Sequence, residues 1–286
     1  MITGNPEMIR KARRVSMKYR KPDITKSYYE NSPYTFLKRE EMAAVVIRGE
    51  NYEDFTKNFQ KPYDTIFLAS MKKALQYLCR SIPSCLAGYT SRFDMAVFFS
   101  APDSFETPSW YNYDMNRIAT LASSMASFAF NRIFEKAADS YVMSGNNFDE
   151  TRKFTAMQGY VSSIDAGALF TAKCFNIKKE QIADYLYLLQ KNTIDAAIHE
   201  MGLLYFREDE LSGKSSSEIQ FMVFDRAGIN FDSYPSSFRH GSFCVRNRER
   251  DGMLINPAAE KGDWVPDPEF PLLKPDCRDY LQGILG

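Results

Sequence analysis

Histidine is scarce in this chain: 286 residues contain only His199 and His240. A histidine-rich metal centre is therefore excluded, and any Ser-His-Asp or Cys-His mechanism would have to use one of these two. His199 falls on a long amphipathic stretch and reads as a core or interface residue. The five cysteines, Cys79, Cys85, Cys174, Cys244 and Cys277, are odd in number and lack a C-x-x-C pair. That excludes a disulfide framework and a thiolate zinc site. Long apolar runs are missing too. Ala43–Ile47 and Met95–Phe99 are strand-length, far short of the ~20 residues of a membrane-spanning helix. No apolar leader segment opens the chain, so the expected setting is the cytoplasm, with reduced thiols and no membrane partner. Charge of either sign is not in excess: 36 Lys and Arg balance 36 Asp and Glu. A protein that coats nucleic acid by bulk charge is excluded, while a local basic patch is not.

Apolar residues make up 44% of the chain, enough for a substantial core and too many for a disordered polypeptide. The balanced charge conceals an asymmetry. Arg10, Lys11, Arg13, Arg14, Lys18, Arg20 and Lys21 stand against Glu7 alone in the first 21 residues, so the remainder is net acidic. This arm, residues 1–25, reads either as a solvated tail or as a phosphate-contacting one. Met42–Ile47 is short, apolar and rich in β-branched residues, as a buried central strand should be. A helix is expected over Thr65–Arg80, capped by Asp64, with Ile66, Ala69, Ala74, Leu75 and Leu78 on its apolar stripe. Leu86–Thr90 and Met95–Phe99, joined through Ser91-Arg92-Phe93-Asp94, form an expected hairpin. Tyr111–Ala138 reads as a long helix whose Ala119, Ala122, Ser123, Ala126 and Ala129 permit close packing on a sheet. A strand at Phe170–Phe175 and a helix at Lys179–Tyr205 follow. Then comes a helix at Lys214–Val223, capped by Ser215 with Glu218 as a capping box. After Gly228 prolines accumulate and the chain becomes loop-rich.

The β-α-β-β-α order implies an α+β fold: an antiparallel sheet with helices on one face, a polymerase- or cyclase-like palm, plus a helical and loop-rich C-terminal extension. The expected division is a basic arm at 1–25, a palm at 26–145, and a C-terminal region at 146–286 packing on the palm. Particular strings carry the pattern further. They include Ile47-Arg48-Gly49 with Asp54-Phe55, Phe59-Gln60-Lys61-Pro62-Tyr63-Asp64, Ala87-Gly88-Tyr89-Thr90 and Ser123–Asn131. Cys174–Ile177, Gly213-Lys214-Ser215 with Glu218-Ile219-Gln220, Gly228-Ile229-Asn230, Arg239-His240-Gly241-Ser242 and Trp264 with Glu269–Leu272 follow in order. Together they resemble the tRNA-His guanylyltransferase family of 3′–5′ nucleotide polymerases, over about Tyr29 to Leu273.

The resemblance implies two Mg²⁺ ions held by carboxylates at the end of the first strand and in the hairpin, bridging a triphosphate and its attacking hydroxyl. The family supplies the carboxylates from an Arg-Ile-Asp-Gly and a Ser-Asp-Glu pattern. This sequence departs at both. Arg48 stands at the first aspartate, Arg92 at the serine, Phe93 at the second aspartate and Asp94 at the glutamate. The family's later Arg-Gln-Gln-Asp pattern is reduced to Gln190 and the charge of Lys191. The residues that change are those carrying chemistry, which implies a retained fold with an impaired active site.

Binding capacity is expected to persist in a metal-poor cleft. Arg48, Gly49, Lys61, Arg92 and Arg117 are the candidate nucleotide or phosphate contacts, with permanent guanidinium charges in place of metals. Lys191, Arg239 and His240 are the candidate RNA contacts. Arg48 and Arg92 have a second reading, as partners of Glu50 and Asp94 in an inert cleft. Phe93 reads as an apolar plug or as a platform for a base. No metal is expected at the family positions. If the chain is active, Asp94 and Glu50 are the catalytic pair of a relocated Mg²⁺ site. The expected partners are a nucleoside triphosphate or related nucleotide and a tRNA end, with homodimer or homotetramer assembly. An interaction subunit or nucleotide-sequestering protein is the further alternative.

Overall fold

The computed structural model describes residues 35–39, 41–100, 110–143, 150–250, 252–268, 270, 281 and 283–284. The chain divides after Thr35, and Phe36–Gly286 form one compact unit. The expected basic arm, the Pro102–Pro108 loop, Glu269 and Cys277 lie outside the described residues.

The first strand, β1 (Met42–Gly49), sits between two neighbours. It pairs antiparallel with β3 (Asp94–Phe99) and with β4 (Phe170–Ile177). The hairpin partner β2 (Cys85–Ser91) continues the sheet to β5 (Ser242–Arg246) and β6 (Trp264–Asp267), giving the order β4-β1-β3-β2-β5-β6. Three of the six strands come from beyond residue 145, so the sheet draws on both sides of that expected boundary.

The pleat sends alternate residues to opposite faces. Val45, Ile47, Met95, Val97 and Phe99 pack against α2 (Thr65–Ser81) and α3 (Met115–Met143). Ala44, Ala87, Tyr89, Ala96, Phe98 and Phe243 face the other way, onto Ile182 and Leu186 of α5 (Lys179–Gly202). The single helix layer expected from the first half of the chain is thus matched by α5 on the reverse face. That is why Ala44, Val45 and Ile47 are fully buried.

Local chemistry sets the element ends. Asp64 caps α2, its Oδ1 accepting from the Phe67 amide at 2.9 Å. Its buried stripe runs through Phe67, Met71, Ala74, Leu75 and Leu78, with Ile66 and Ala69 at the margin rather than the centre. Helix α3 begins at Met115 instead of Tyr111. Tyr111, Asn112 and Tyr113 adopt φ of 47°, 54° and 64°, the left-handed region that a right-handed helix cannot continue through. The Asp114 carboxylate then accepts from the Asn116 and Arg117 amides. Helix α7 (Ser216–Ala227) carries the Ser215–Glu218 capping box and ends at Gly228, φ 67°.

The second Asp64 oxygen accepts from the Tyr160 hydroxyl at 2.6 Å, on α4 (Glu150–Ala166), and both residues are buried. Burial, with the Asp64 charge beside it, pushes the Tyr160 phenol well above its ordinary range. Tyr160→Phe removes a charge-assisted hydrogen bond and should cost about 1–2 kcal/mol, read as a lower urea midpoint at unchanged slope.

Candidate functional site

The site forms where β1 ends beside the β2–β3 hairpin. The register places Arg48 directly opposite Asp94, and the same hairpin closes with Ser91 opposite Asp94. Only Arg92 and Phe93 lie between, and Arg92 has φ 47°, an uncommon conformation for a side chain with a Cβ. Because opposed residues share a face, Arg48 and Asp94 both look toward α5. There they line a cavity of about 150 Å³ together with Ser91, Arg92, Asn192 and Thr193. Two guanidiniums and one carboxylate border it.

Phe93 goes the opposite way. Only 2% exposed, its ring stacks on Phe55 at 5.5 Å and meets Phe170 at 4.8 Å. Phe67, Phe130 and Tyr52 complete the surround at 5.5–5.9 Å. The ring lies so close to the β1 backbone that a Cβ on Gly49 would fall 2.0 Å from it. Gly49 is required for this approach, and its amide donates to the Phe93 carbonyl at 2.9 Å. Of the two sequence readings of Phe93, the plug is the one that its burial fits.

A second cavity of about 460 Å³ opens past the strand ends. It is lined by Glu50, Glu53, Asp54 and Asp94, with Tyr52 of α1 (Tyr52–Thr56), Gly49 and Arg92. Four acids against one guanidinium make it acidic. Glu50 accepts from the Thr171 hydroxyl at 2.5 Å. Asp94 carries a raised pKa. Desolvation by the surrounding protein is the cause, opposed by Arg48, the Gly49 amide and Arg92. A carboxyl raised in the folded state stabilises it below the unfolded value of 3.8, and that contribution disappears as pH rises through the folded value. Asp94→Asn should therefore raise stability at pH 7 and leave it unchanged at pH 3. The side chain is solvent-accessible, which limits the gain to about 0.5 kcal/mol, measurable as a small upward shift in Tm.

Arg92 does not pair with Glu50 or Asp94. Its Nη2 bonds Glu200 Oε1 on α5 at 2.6 Å, and its guanidinium lies 4.8 Å from the Tyr52 ring centre. The Tyr52 hydroxyl donates to the same Glu200 oxygen at 3.1 Å. Burial and the nearby Glu200 charge push the Tyr52 phenol up to about 12.

The other expected residues are scattered. Lys61 is exposed and, with Arg92, Glu200 and Phe238, borders a small pocket of about 30 Å³. Arg117 lies at the far end of the sheet, over the Tyr111 ring at 4.6 Å. It precedes Phe130, which touches Phe93, by 13 helical residues or roughly 20 Å of helix, so it does not reach the cleft. Lys191 is exposed on α5. Arg239 bonds the Asp232 carboxylate at 2.5 Å and the Tyr234 carbonyl at 2.9 Å. His240 is buried, and its carbonyl accepts from the Tyr89 hydroxyl at 2.7 Å. Burial, and then the Arg239 charge, hold its imidazole below the ordinary range. Those contacts tie α8 (Ser236–Arg239) to β2. His199 stands 3.3 Å from Glu208.

Sequence reasoning missed Tyr52, Glu53, Asp54, Asn192, Thr193 and Glu200. Glu53 and Asp54 stand four and five residues after Gly49 and could have been found from it. Glu200 lies 108 residues from Arg92, and nothing local marks it.

The family model of tRNAHis guanylyltransferase matches residues 8–177. The chain belongs to the tRNAHis guanylyltransferase family. Its fold is similar to a bacterial tRNA(His) guanylyltransferase-like protein solved in complex with ATP: 18% identity, TM-score 0.71, 91% of this chain and 97% of that one. The same comparison with a complex containing GTP gives 17%, 0.67, 91% and 97%. The tRNA(His) guanylyltransferase from Saccharomyces cerevisiae matches at 18% identity and TM-score 0.60, over 76% of this chain and 91% of that one. No curated protein sequence matches the chain. Among the described residues, no helix is long and apolar enough to cross a membrane.

By the sequence resemblance, the family's metal carboxylates correspond to Arg48, Phe93 and Asp94. A guanidinium offers no lone pair and a phenyl ring no oxygen, so this donor set does not fit Mg²⁺. Nor do three His, Cys, Asp or Glu side chains converge as a metal-binding group among the described residues.

Proposed function

We propose that this protein is a catalytically impaired member of the tRNAHis guanylyltransferase family that binds the phosphates of a nucleotide, or of a tRNA end, without two-metal chemistry. The observation that carries this reading is Phe93, buried in an aromatic shell where the family places a metal carboxylate. A Mg²⁺ ion set ~4 Å from the Arg48 charge would be repelled by about 8 kcal/mol at an effective dielectric near 20. Anions suit the cavity between the sheet and α5, where Arg48 and Arg92 outnumber Asp94. Its 150 Å³ accommodates a phosphate tail, with the nucleoside outside. The similar bacterial protein has been solved with ATP and with GTP, which supports a nucleotide as the ligand class.

Calorimetric titration with ATP, GTP and a 5′-triphosphorylated RNA, each with and without Mg²⁺, tests the reading. Binding that survives chelation of Mg²⁺ is expected. Mg²⁺-dependent addition of labelled GTP to an RNA 5′-end, abolished by Asp94→Ala, would overturn it.

A second reading has its own support. Glu50 and Asp94 border the 460 Å³ cavity with Glu53 and Asp54, the acidic setting in which a relocated cation of an active enzyme would have to be assembled. Loss of GTP addition in Glu50→Gln would favour that reading. Sizing of the pure protein tests the homodimer or homotetramer, and fractionation of the host tests a cytoplasmic location.

A further inference from the structure

Arg92 is the one residue that borders all three cavities of the region. Its guanidinium is fixed from two sides: Tyr52 lies beneath it, and Glu200 accepts from its edge. Glu200 in turn receives the Tyr52 hydroxyl, so three side chains from α1, the β2–β3 turn and α5 close on one another. The Arg92 side chain is still 41% exposed, against 19% for Glu200. Solvent therefore reaches part of the Arg92 side chain. The turn that delivers it is held at φ 47°, and strained positions of this kind accumulate where a side chain must be aimed.

We propose that Glu200 is the affinity-setting residue of the phosphate cavity: it holds Arg92 in a clasp that an incoming polyphosphate must take over. This rests on the phosphate-binding reading above. Arg92 Nη2 donates to one Glu200 oxygen, and the N–H spent there cannot serve a phosphate at the same time. The ligand exchanges one anionic partner of Arg92 for another, and the lost Glu200 contact is subtracted from its affinity. Tyr52 keeps the guanidinium plane fixed throughout, so the exchange needs little reordering of Arg92. Release of Glu200 also detaches the hairpin turn from the C-terminal end of α5, which links occupancy of the cavity to freedom of that end of the helix.

Calorimetric titration with tripolyphosphate, ATP and GTP, in chelator and at low salt, tests the clasp. Glu200→Gln should tighten polyphosphate binding about tenfold, because a neutral acceptor competes less well for Arg92. Glu208→Gln removes the same charge from an exposed residue that faces His199 rather than Arg92 and should change affinity less than about twofold, a general screening effect. In an Arg92→Ala background the gain from Glu200→Gln should vanish. Tyr52→Phe keeps the ring under Arg92 and removes the hydroxyl that bonds Glu200, so a gain of about twofold is expected; this variant decides the matter if Glu200→Gln does not fold. A gain equal in Glu208→Gln, a gain that persists without Arg92, or no gain overturns the clasp. Should the wild type bind and Glu200→Gln bind no better, the clasp falls and the phosphate-binding reading stands. Binding by Glu200→Gln where the wild type shows none supports both. Absence of binding in every variant overturns both.

Discussion

Phe93→Asp, the substitution that puts the family's acid back, should unfold much of the protein rather than restore a metal site. The ring fills a space closed by Tyr52, Phe55, Phe67, Phe130 and Phe170 and rests on the bare Cα of Gly49. Truncating a buried phenylalanine costs about 3–5 kcal/mol through lost transfer energy and the cavity left behind. A carboxylate placed there has no donor among those rings, and it adds a desolvation cost or becomes protonated. The total should exceed about 4 kcal/mol, a large share of the ~5–15 kcal/mol that holds a domain together. Guanidinium denaturation checks it: the midpoint should collapse for Phe93→Asp, while Phe93→Leu should lose only about 1–2 kcal/mol. A Phe93→Asp protein with a near-native midpoint and a new Mn²⁺ site would mean that the aromatic shell yields easily, and the plug would no longer separate this chain from its relatives.

The second large effect is functional and leaves the fold intact. Arg48→Asp should weaken polyphosphate binding by about 30- to 100-fold while shifting stability by less than about 1 kcal/mol. Arg48 is exposed at the end of β1, so its removal opens no cavity. Its loss takes away a charge-assisted hydrogen bond to phosphate, worth about 1.5–3 kcal/mol, and the new carboxylate sits opposite Asp94. That second negative charge repels the ligand and pushes the Asp94 carboxyl, already raised, further up. Arg48→Lys should retain most of the affinity, since a point charge still attracts phosphate without the bidentate geometry. Titration of the three proteins at two salt concentrations separates the terms, because only the charge effect fades with salt.

Much of this fold can be read from local sequence, since its elements follow local rules. Met42–Ile47 is buried on both faces and looks it, and Ser215 with Glu218 announces the start of α7. Asp64 announces α2 in the same way. The start of α3 was not legible at Tyr111, because three consecutive left-handed residues are a tertiary outcome that no propensity encodes. The cover that α5 gives to the second face was equally hidden. Amphipathic spacing says that Ile182 and Leu186 are buried, not against which face.

The site divides along the same line. Arg48, Phe93 and Asp94 were legible because the hairpin register depends on two short strands and a two-residue turn. That Arg117 lies over Tyr111 is not legible, because a charge on a helix says nothing of which end of the sheet the helix presents. Arg239 and His240 sit in a loop-like string that reads as exposed, yet Asp232, Tyr234 and Tyr89 hold them inward. The Arg92–Glu200–Tyr52 contact joins positions 148 residues apart at its widest. Only the folded chain brings them together.

Soaking crystals with GTP and Mn²⁺ and collecting at the manganese edge tests the central claim most directly. The account predicts phosphate density against Arg48 on the α5 side of the sheet, with Phe93 still buried and no anomalous peak at Asp94. A manganese peak ligated by Asp94 and Glu50 and bridging to the triphosphate would contradict it.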